Sequence, residues 1–106
     1  MRRGSGGIDF ITETWRSGES WYRKWDSGWV EQGGVVFPVS TDATINLFVT
    51  MANTNYSAIM IPLIKDQTNS GRGASRIRQR LTTQLRVGGE SHIDHTVIWQ
   101  VTGLGA

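Results

Sequence analysis

The stretch Glu13–Gly34, ETWRSGESWYRKWDSGWVEQGG, decides the fold of this chain. It carries four of the five tryptophans: Trp15, Trp21, Trp25 and Trp29. Because alternate residues of a β-strand share a face, Trp21, Arg23 and Trp25 are predicted to lie side by side. Serine–glycine pairs separate the first tryptophan from the second and the third from the fourth, which is typical of a β-meander. Aromatics at this spacing pack a small sheet or line a binding surface, and they do not form a catalytic site.

The chain has 106 residues and no cysteine. A single domain of this length buries only about 60–70% of its unfolded surface, so we expect a thin core. The absence of cysteine excludes a disulfide framework and a thiolate metal site. No apolar run approaches the roughly 20 residues that span a bilayer. We expect residues 1–7, MRRGSGG, to be a flexible leader without the apolar centre of a signal peptide, and residues 8–106 to form one domain.

Positive charge is concentrated in one part of the chain. Between Lys65 and Arg86 there are six basic residues and one acidic residue, Asp66, which gives a charge of +5. Because the whole chain carries +2, the remainder carries −3. This asymmetry predicts a basic face, which is compatible with an anionic partner without requiring one.

Short apolar patterns of period two, bounded by turn signals, predict an all-β fold: a small antiparallel β-sandwich of about 6–8 short strands. We expect Gly28 to adopt positive φ in a turn, and Gly33–Gly34 to mark a bulge or bend. Pro62 cannot donate to a ladder and favours an edge strand or a bulge. The predicted strands are Ile8–Trp15, Ser20–Asp26, Trp29–Val39, Thr44–Met51, Tyr56–Ile64 and Thr96–Thr102.

The arginine-rich segment from Arg76 to Val87 fits two structures. Ile77, Leu81 and Leu85 recur every four residues, as on one stripe of a helix. The same residues also alternate with polar neighbours, as in a strand that is half buried. We predict a single strand, because the period of two is uninterrupted and the threonines at its centre favour β structure.

The sequence does not support catalysis. The glycine-containing segment 71–75 lacks the lysine and spacing of a phosphate-binding loop, and the carboxylates do not pair as in glycoside hydrolases. Ser91, His92 and Asp94 are sequence neighbours, whereas triad members normally come from separate elements. His92 and His95 could ligate a metal, but two histidines beside glycines and a serine more often form a turn. We therefore expect no enzyme, no metal and no cofactor.

Several motifs in order resemble the small C-terminal domain of bacteriophage tail-fibre proteins. They are Trp15, Ser17-Gly18, Trp21-Tyr22-Arg23, Trp25, Ser27-Gly28-Trp29 and Glu31-Gln32-Gly33-Gly34, followed late in the chain by Trp99 and Gly103. The resemblance implies a β-sandwich at the tip of a trimeric fibre in the virion, where it touches the bacterial surface.

The resemblance implies a homotrimer whose receptor is a surface glycan or protein, with no nucleic acid bound and no membrane insertion. It places the tryptophans in the core or the trimer interface: Trp15, Trp21, Trp25, Trp29 and Trp99. The residues alone leave a second hypothesis open, a monomeric β-module that binds carbohydrate or nucleic acid through exposed tryptophans or the arginine-rich strand.

If successive strands alternate in direction, the connections between them fall alternately at the two ends of the domain, and this predicts where the receptor contacts lie. If the leader joins the fibre shaft, the connections at 16–19, 40–42 and 65–75 and the C-terminus at Ala106 are predicted at the far end. The turns at 26–28, 53–55 and 88–92 are predicted near the shaft. Far loops meet a cell surface first, and loops tolerate variation. The predicted receptor contacts are Arg16, Glu19, Asp42, Lys65, Asp66, Gln67, Asn69 and Arg72.

Overall fold

A computed structural model describes residues 8–36, 42–63, 76–88 and 96–106. These residues form two antiparallel sheets, which confirms the predicted all-β sandwich. The strands are β1 (Ile11–Ser17), β2 (Ser20–Trp25), β3 (Trp29–Val36), β4 (Asp42–Asn46), β5 (Ser57–Leu63), β6 (Arg76–Arg80), β7 (Gln84–Gly88) and β8 (Thr96–Leu104). The five-stranded sheet has the order β1-β2-β3-β8-β5, and the three-stranded sheet has the order β4-β7-β6. No helix long and apolar enough to cross a membrane occurs in the described ranges.

The tryptophan-rich stretch forms the predicted meander β1-β2-β3. Gly18 and Gly28 turn the chain with φ of 61° and 95°, a conformation that only glycine adopts without strain. The prediction for Gly28 is thus confirmed. Trp21 and Arg23 pair with Gly33 and Glu31 across the sheet, so they share one face as expected.

The predicted bulge at Gly33–Gly34 is wrong. Both glycines lie in a regular ladder, opposite Gln100 and Trp99 of β8, with no shift in register. A Cβ atom at Gly33 would lie 2.7 Å from the carbonyl oxygen of Trp99 and 3.0 Å from the ring of Trp21. At Gly34 it would lie 3.3 Å from the indole nitrogen of Trp99. The glycines therefore make room for two tryptophan rings, and they do not bend the strand.

The edge position predicted from Pro62 is confirmed, because β5 is the last strand of its sheet and, among the described strands, pairs with β8 alone. The central strand β8 contributes Val97, Trp99 and Val101 to the core, as its alternation predicted. The predicted strand Thr44–Met51 is shorter: β4 ends at Asn46, and Met51 makes only an isolated bridge to Gly105.

The arginine-rich segment is a strand structure, as predicted, but it is not one strand. It folds as the hairpin β6–β7, with a turn at Thr82–Thr83 and a hydrogen bond from the Leu81 amide to the Gln84 carbonyl, 2.9 Å. The two threonines are compatible with a tight turn as well as with a strand. The odd-numbered positions are apolar both before and after the turn, so a period of two gives no sign that the chain reverses. Leu85 and Val87 are fully buried by this arrangement.

The core lies between the sheets and is built on nine buried apolar residues: Val30, Ile45, Met51, Tyr56, Leu85, Val87, Val97, Trp99 and Val101. One polar side chain, Gln32, is fully buried among them. Its amide oxygen accepts hydrogen bonds from the backbone amides of Phe48 (2.8 Å) and Val49 (3.1 Å), and its amide nitrogen donates to the Val49 carbonyl (2.9 Å). Gln32 therefore replaces the ladder that the segment after β4 lacks, and it fixes that segment onto the five-stranded sheet.

Candidate functional site

Outward-facing aromatics of the meander are held by an acidic residue from the neighbouring strand. Glu31 accepts a hydrogen bond from the Trp25 indole at 3.1 Å and lies 3.4 Å from the Arg23 guanidinium. Arg23 in turn lies 5.2 Å from the centre of the Trp21 ring. Glu31 therefore orients Arg23 and Trp25 on the outward face of the sheet.

On the opposite, inward face, aromatic rings form a continuous row. Trp15 stacks on Tyr22 with ring centres 5.6 Å apart, and Phe48 lies 5.2 Å from Trp15 and 5.7 Å from Trp99. Trp99 is 3% exposed, whereas Trp15 is 39% exposed. The row thus runs from the core to the outer edge of the meander, which β4, β6 and β7 do not cover.

A small charged cluster lies beside this row on the same edge. The Tyr22 hydroxyl donates a hydrogen bond to Glu13, and Lys24 lies 3.6 Å from the same carboxylate. The hydrogen bond from Tyr22 lowers the pKa of Glu13 and raises the pKa of Tyr22. The cluster is exposed, so it keeps Glu13 ionised and links β1 to β2 without forming a reactive site.

Four strands end at the same end of the sandwich, termed here the loop end, and four connections begin there. They are the turn 18–19 and the connections 37–41, 64–75 and 89–95, which leave β1, β3, β5 and β7. Of the predicted contact residues, Arg16 and Glu19 are exposed beside the first turn, and Asp42 begins β4. The other five lie outside the described residues: Lys65, Asp66, Gln67, Asn69 and Arg72.

Two positions in the predicted polarity are wrong. Ala106 lies at the end opposite the loop end, where its amide bonds to the Thr50 carbonyl at 3.0 Å. The connection that follows Gly88 starts at the loop end, because Gly88 pairs with Asp42. Both errors have one cause: the hairpin β6–β7 adds a reversal that a single strand would not have, so every later turn changes ends. The turn 26–28 lies at the end opposite the loop end, as predicted.

The outward face of the five-stranded sheet carries a row of exposed apolar side chains beside the polar residues Arg23, Glu31 and Gln100. In register across three strands, Ile61 of β5 lies beside Ile98 of β8, which lies beside Val35 of β3. Ile59, Ile61 and Ile98 are 52%, 54% and 37% exposed. Trp29 and Leu104 pair at the other end of this face and are also exposed. Apolar side chains that adjoin one another on a surface commonly mark an interaction site.

The outward face of the three-stranded sheet is polar and basic. A groove of about 520 Å³ on this sheet is lined by Ala43, Thr44, Arg78, Gln79, Arg86 and Val87. A β-bulge shapes it: Ile77 pairs with Val87 and Gln79 pairs with Arg86, so Arg78 is an extra residue in β6. Sequence alternation missed this groove, because a bulge depends on the partner strand and leaves no signal in a period of two.

The bulge also corrects the predicted arrangement of the arginines. Alternation had placed Arg76, Arg78 and Arg80 on one face, but Arg80 lies opposite the buried Leu85. From there its guanidinium donates to the Tyr56 carbonyl at 2.7 Å. The Tyr56 hydroxyl donates to the Leu81 carbonyl at 2.8 Å, and burial raises the pKa of Tyr56. Arg80, which was predicted to face outward, therefore connects β6 to the residue that precedes β5 of the other sheet.

In the part of the chain that the structure describes, no three histidine, aspartate or glutamate side chains approach closely enough to hold a metal ion. His92, Asp94 and His95 lie outside that part.

No protein-family model matches the sequence, and no curated protein sequence matches it significantly. The fold, however, is similar to an N-truncated R2-type pyocin tail fibre, with a TM-score of 0.68 and 16% identity over 92% of this chain. It is equally similar to a C-terminal fragment of the R2 pyocin fibre of P. aeruginosa, with a TM-score of 0.68 and 15% identity over 97% of this chain.

The chain has the fold of a tail-fibre domain. The sandwich that the meander motifs implied is thus confirmed by an independent likeness. The matched parts are 38% and 30% of the two neighbouring chains, so this chain spans about a third of the length of either. Identities this low carry the fold and no residue-level role.

Proposed function

We propose that this chain is the distal, receptor-binding domain of a phage tail fibre, that it assembles as a homotrimer, and that it attaches to a bacterial surface glycan or protein. The observation that carries the proposal is the fold shared with the pyocin tail fibres over more than nine tenths of the chain. The meander motifs support it independently. The proposal assigns the chain a binding role in the virion and no catalytic step.

The row of exposed apolar side chains on the five-stranded sheet supports a homotrimer. Ile61, Ile98 and Val35 lie in one cross-strand row on the outward side of the five-stranded sheet, with Ile59 beside them. Full burial of an aliphatic side chain contributes about 1.5–3 kcal/mol, and each subunit would bury several. Copies that pack these faces together would therefore cover the exposed isoleucines of β5 and β8. In this arrangement Trp21 and Trp29 lie at the subunit contact, whereas Trp99 stays in the core of its own chain.

The loop end supports receptor attachment. Ile8, the first described residue, lies at the opposite end, near the turn 26–28, where the Asp9 carboxylate accepts hydrogen bonds from Ser27. A shaft that precedes Ile8 would direct the loop end away from the virion. The connections that begin there would then meet the cell first, and they carry six of the eight predicted contact residues, while Arg16 and Asp42 lie at the adjoining ends of β1 and β4.

The proposal is tested with the purified chain on a panel of bacterial strains. We expect light scattering to give three times the mass of the chain, and a fluorescently labelled protein to bind at least one strain. The triple substitution Gln67→Ala, Asn69→Ala and Arg72→Ala should weaken binding about 10-fold or more without changing the mass, because it removes polar contacts from one loop.

The matched control is Asp26→Ala at the opposite end, which should bind as the unsubstituted chain does. A monomeric mass would contradict the trimer and favour the monomeric module. If Asp26→Ala lost binding and the triple variant kept it, the receptor would be bound at the end opposite the loop end.

A further inference from the structure

We infer that the groove between β4, β7 and β6 binds an oxyanion, a carboxylate or phosphate carried on a sugar. The inference names the ligand chemistry of a surface that the predicted contact residues do not include. It rests on the proposed function for the source of the ligand, a bacterial surface glycan. Binding of the oxyanion itself stands on the groove alone.

Charge is the first argument. The three strands that form the groove carry four arginines and one acidic residue, Asp42. Two of the arginines, Arg78 and Arg86, line the groove, and none of its lining residues in the described part of the chain is acidic. A guanidinium presents a planar fork of donors that matches a carboxylate or phosphate, so two of them on one concave surface favour an oxyanion.

The bulge is the second argument. Because Arg78 is the extra residue of β6, Arg78 and Gln79 together oppose the single residue Arg86. In a regular ladder only one of them would oppose Arg86. Gln79 lies 3.5 Å from the Arg86 guanidinium, measured from its amide oxygen to Nη1, which restrains Arg86 at the groove. The bulge thus concentrates two cations and an amide around one space.

Neutral donors at the groove indicate a sugar as the carrier. Thr44 is exposed on β4 opposite Arg86, and Gln79 lies opposite Arg86 on β6, so the groove offers a hydroxyl and an amide on the two sides of one guanidinium. Such groups recognise the hydroxyls of a sugar ring next to its charged substituent. Nucleic acid fits less well, because single-stranded binders stack bases on aromatic side chains and the described residues of β4, β6 and β7 include no aromatic.

The test is titration of the ¹⁵N-labelled full chain, followed by NMR, with glucuronate and with glucose 6-phosphate. Unmodified glucose is the neutral control. We expect amide shifts for both acidic sugars at Thr44, Arg78, Gln79 and Arg86, and none with glucose. The two acidic probes separate a carboxylate source from a phosphate source by their relative affinities.

The double substitution Arg78→Gln/Arg86→Gln should weaken both acidic probes about 10-fold or more, because it removes both charged forks and keeps polar side chains. The matched control Arg2→Gln/Arg3→Gln removes the same charge from the N-terminal segment and should leave affinity unchanged. Shifts centred elsewhere, an equal response to glucose, or equal weakening in both double variants would overturn the inference.

A single-stranded oligonucleotide forms the last arm. Tighter binding of the oligonucleotide at the same four residues would assign the groove to nucleic acid and would also overturn the inference. None of these measurements uses cells, so failure of the probes leaves the tail-fibre proposal standing. Failure of cell binding likewise leaves an oxyanion groove standing.

Discussion

The two outward faces of this sandwich have opposite chemistry. The five-stranded sheet presents Ile59, Ile61 and Ile98 at more than a third exposure each, whereas the three-stranded sheet presents arginine, glutamine and threonine. Adjoining exposed isoleucines commonly mark a surface that binds another protein. Burying unpaired arginines in a contact between copies would cost free energy. The difference therefore divides the molecule into a side suited to self-association and a side suited to a polar ligand.

The largest expected effect comes from placing one charge on each face in turn. Ile61→Glu should dissociate the proposed trimer, with a rise in its dissociation constant of about 100-fold or more, because every subunit would bury an unpaired carboxylate. Ile61 is 54% exposed in the single chain, so the variant should still fold. Light scattering across a dilution series measures the mass.

Thr44→Glu is the matched control, since it adds the same charge to the other outward face. It should remain trimeric. Dissociation of Thr44→Glu together with an intact Ile61→Glu trimer would show that the roles of the two faces are exchanged.

A change between the faces should act on the fold and not on either surface. Gln32→Leu removes the acceptor for two backbone amides and the donor to the Val49 carbonyl, all at a fully buried side chain. Backbone groups left without partners cost about 1–3 kcal/mol each, so we expect the free energy of unfolding to fall by about 3 kcal/mol or more. Urea denaturation measures it. Gln100→Leu, the same substitution at an exposed position of β8, should cost under about 0.5 kcal/mol, and an equal loss at both sites would contradict the role of Gln32.

The smallest effect concerns the tie that holds the arginine-rich hairpin under the five-stranded sheet. Tyr56→Phe removes the hydrogen bond to the Leu81 carbonyl and should lower the free energy of unfolding by about 1 kcal/mol. Burial raises the pKa of Tyr56 above the ordinary tyrosine value of 10.0, so its native hydroxyl stays neutral where the unfolded one ionises. Its contribution to stability is fully present below that value and is lost as the pH rises through the folded pKa.

Subtracting the free energy of unfolding of Tyr56→Phe from that of the unsubstituted chain at each pH gives the contribution of Tyr56 apart from the other tyrosine. The gap between unsubstituted chain and Tyr56→Phe should be constant near neutral pH and should narrow above about pH 10. A gap that widens there would mean that the folded state stabilises the ionised phenol, which contradicts the burial of this side chain.

Strand periodicity and turn chemistry were readable from the sequence because both are local. The alternation of Val97, Trp99 and Val101 predicted a buried strand face, and Ser27-Gly28 predicted a turn with positive φ at its glycine. The meander motifs extended this to the sandwich and the tail-fibre fold. Of the candidate site, the exposure of Arg16 and Glu19 beside the first turn agrees with the predicted loop position.

By itself, therefore, the sequence determined the β class, the meander and the alternation within regular strands such as β8, since φ/ψ preference and side-chain spacing act between neighbours in the chain. Only the tertiary structure decided the reversal at Thr82–Thr83, the bulge at Arg78 and the close packing of tryptophan rings at Gly33 and Gly34. Each of these depends on a partner from another strand: the register of β7 against β6, or the ring of Trp99 against β3. A period of two is the same on both sides of a reversal, so the face and the end at which each later residue lies were set by pairing alone.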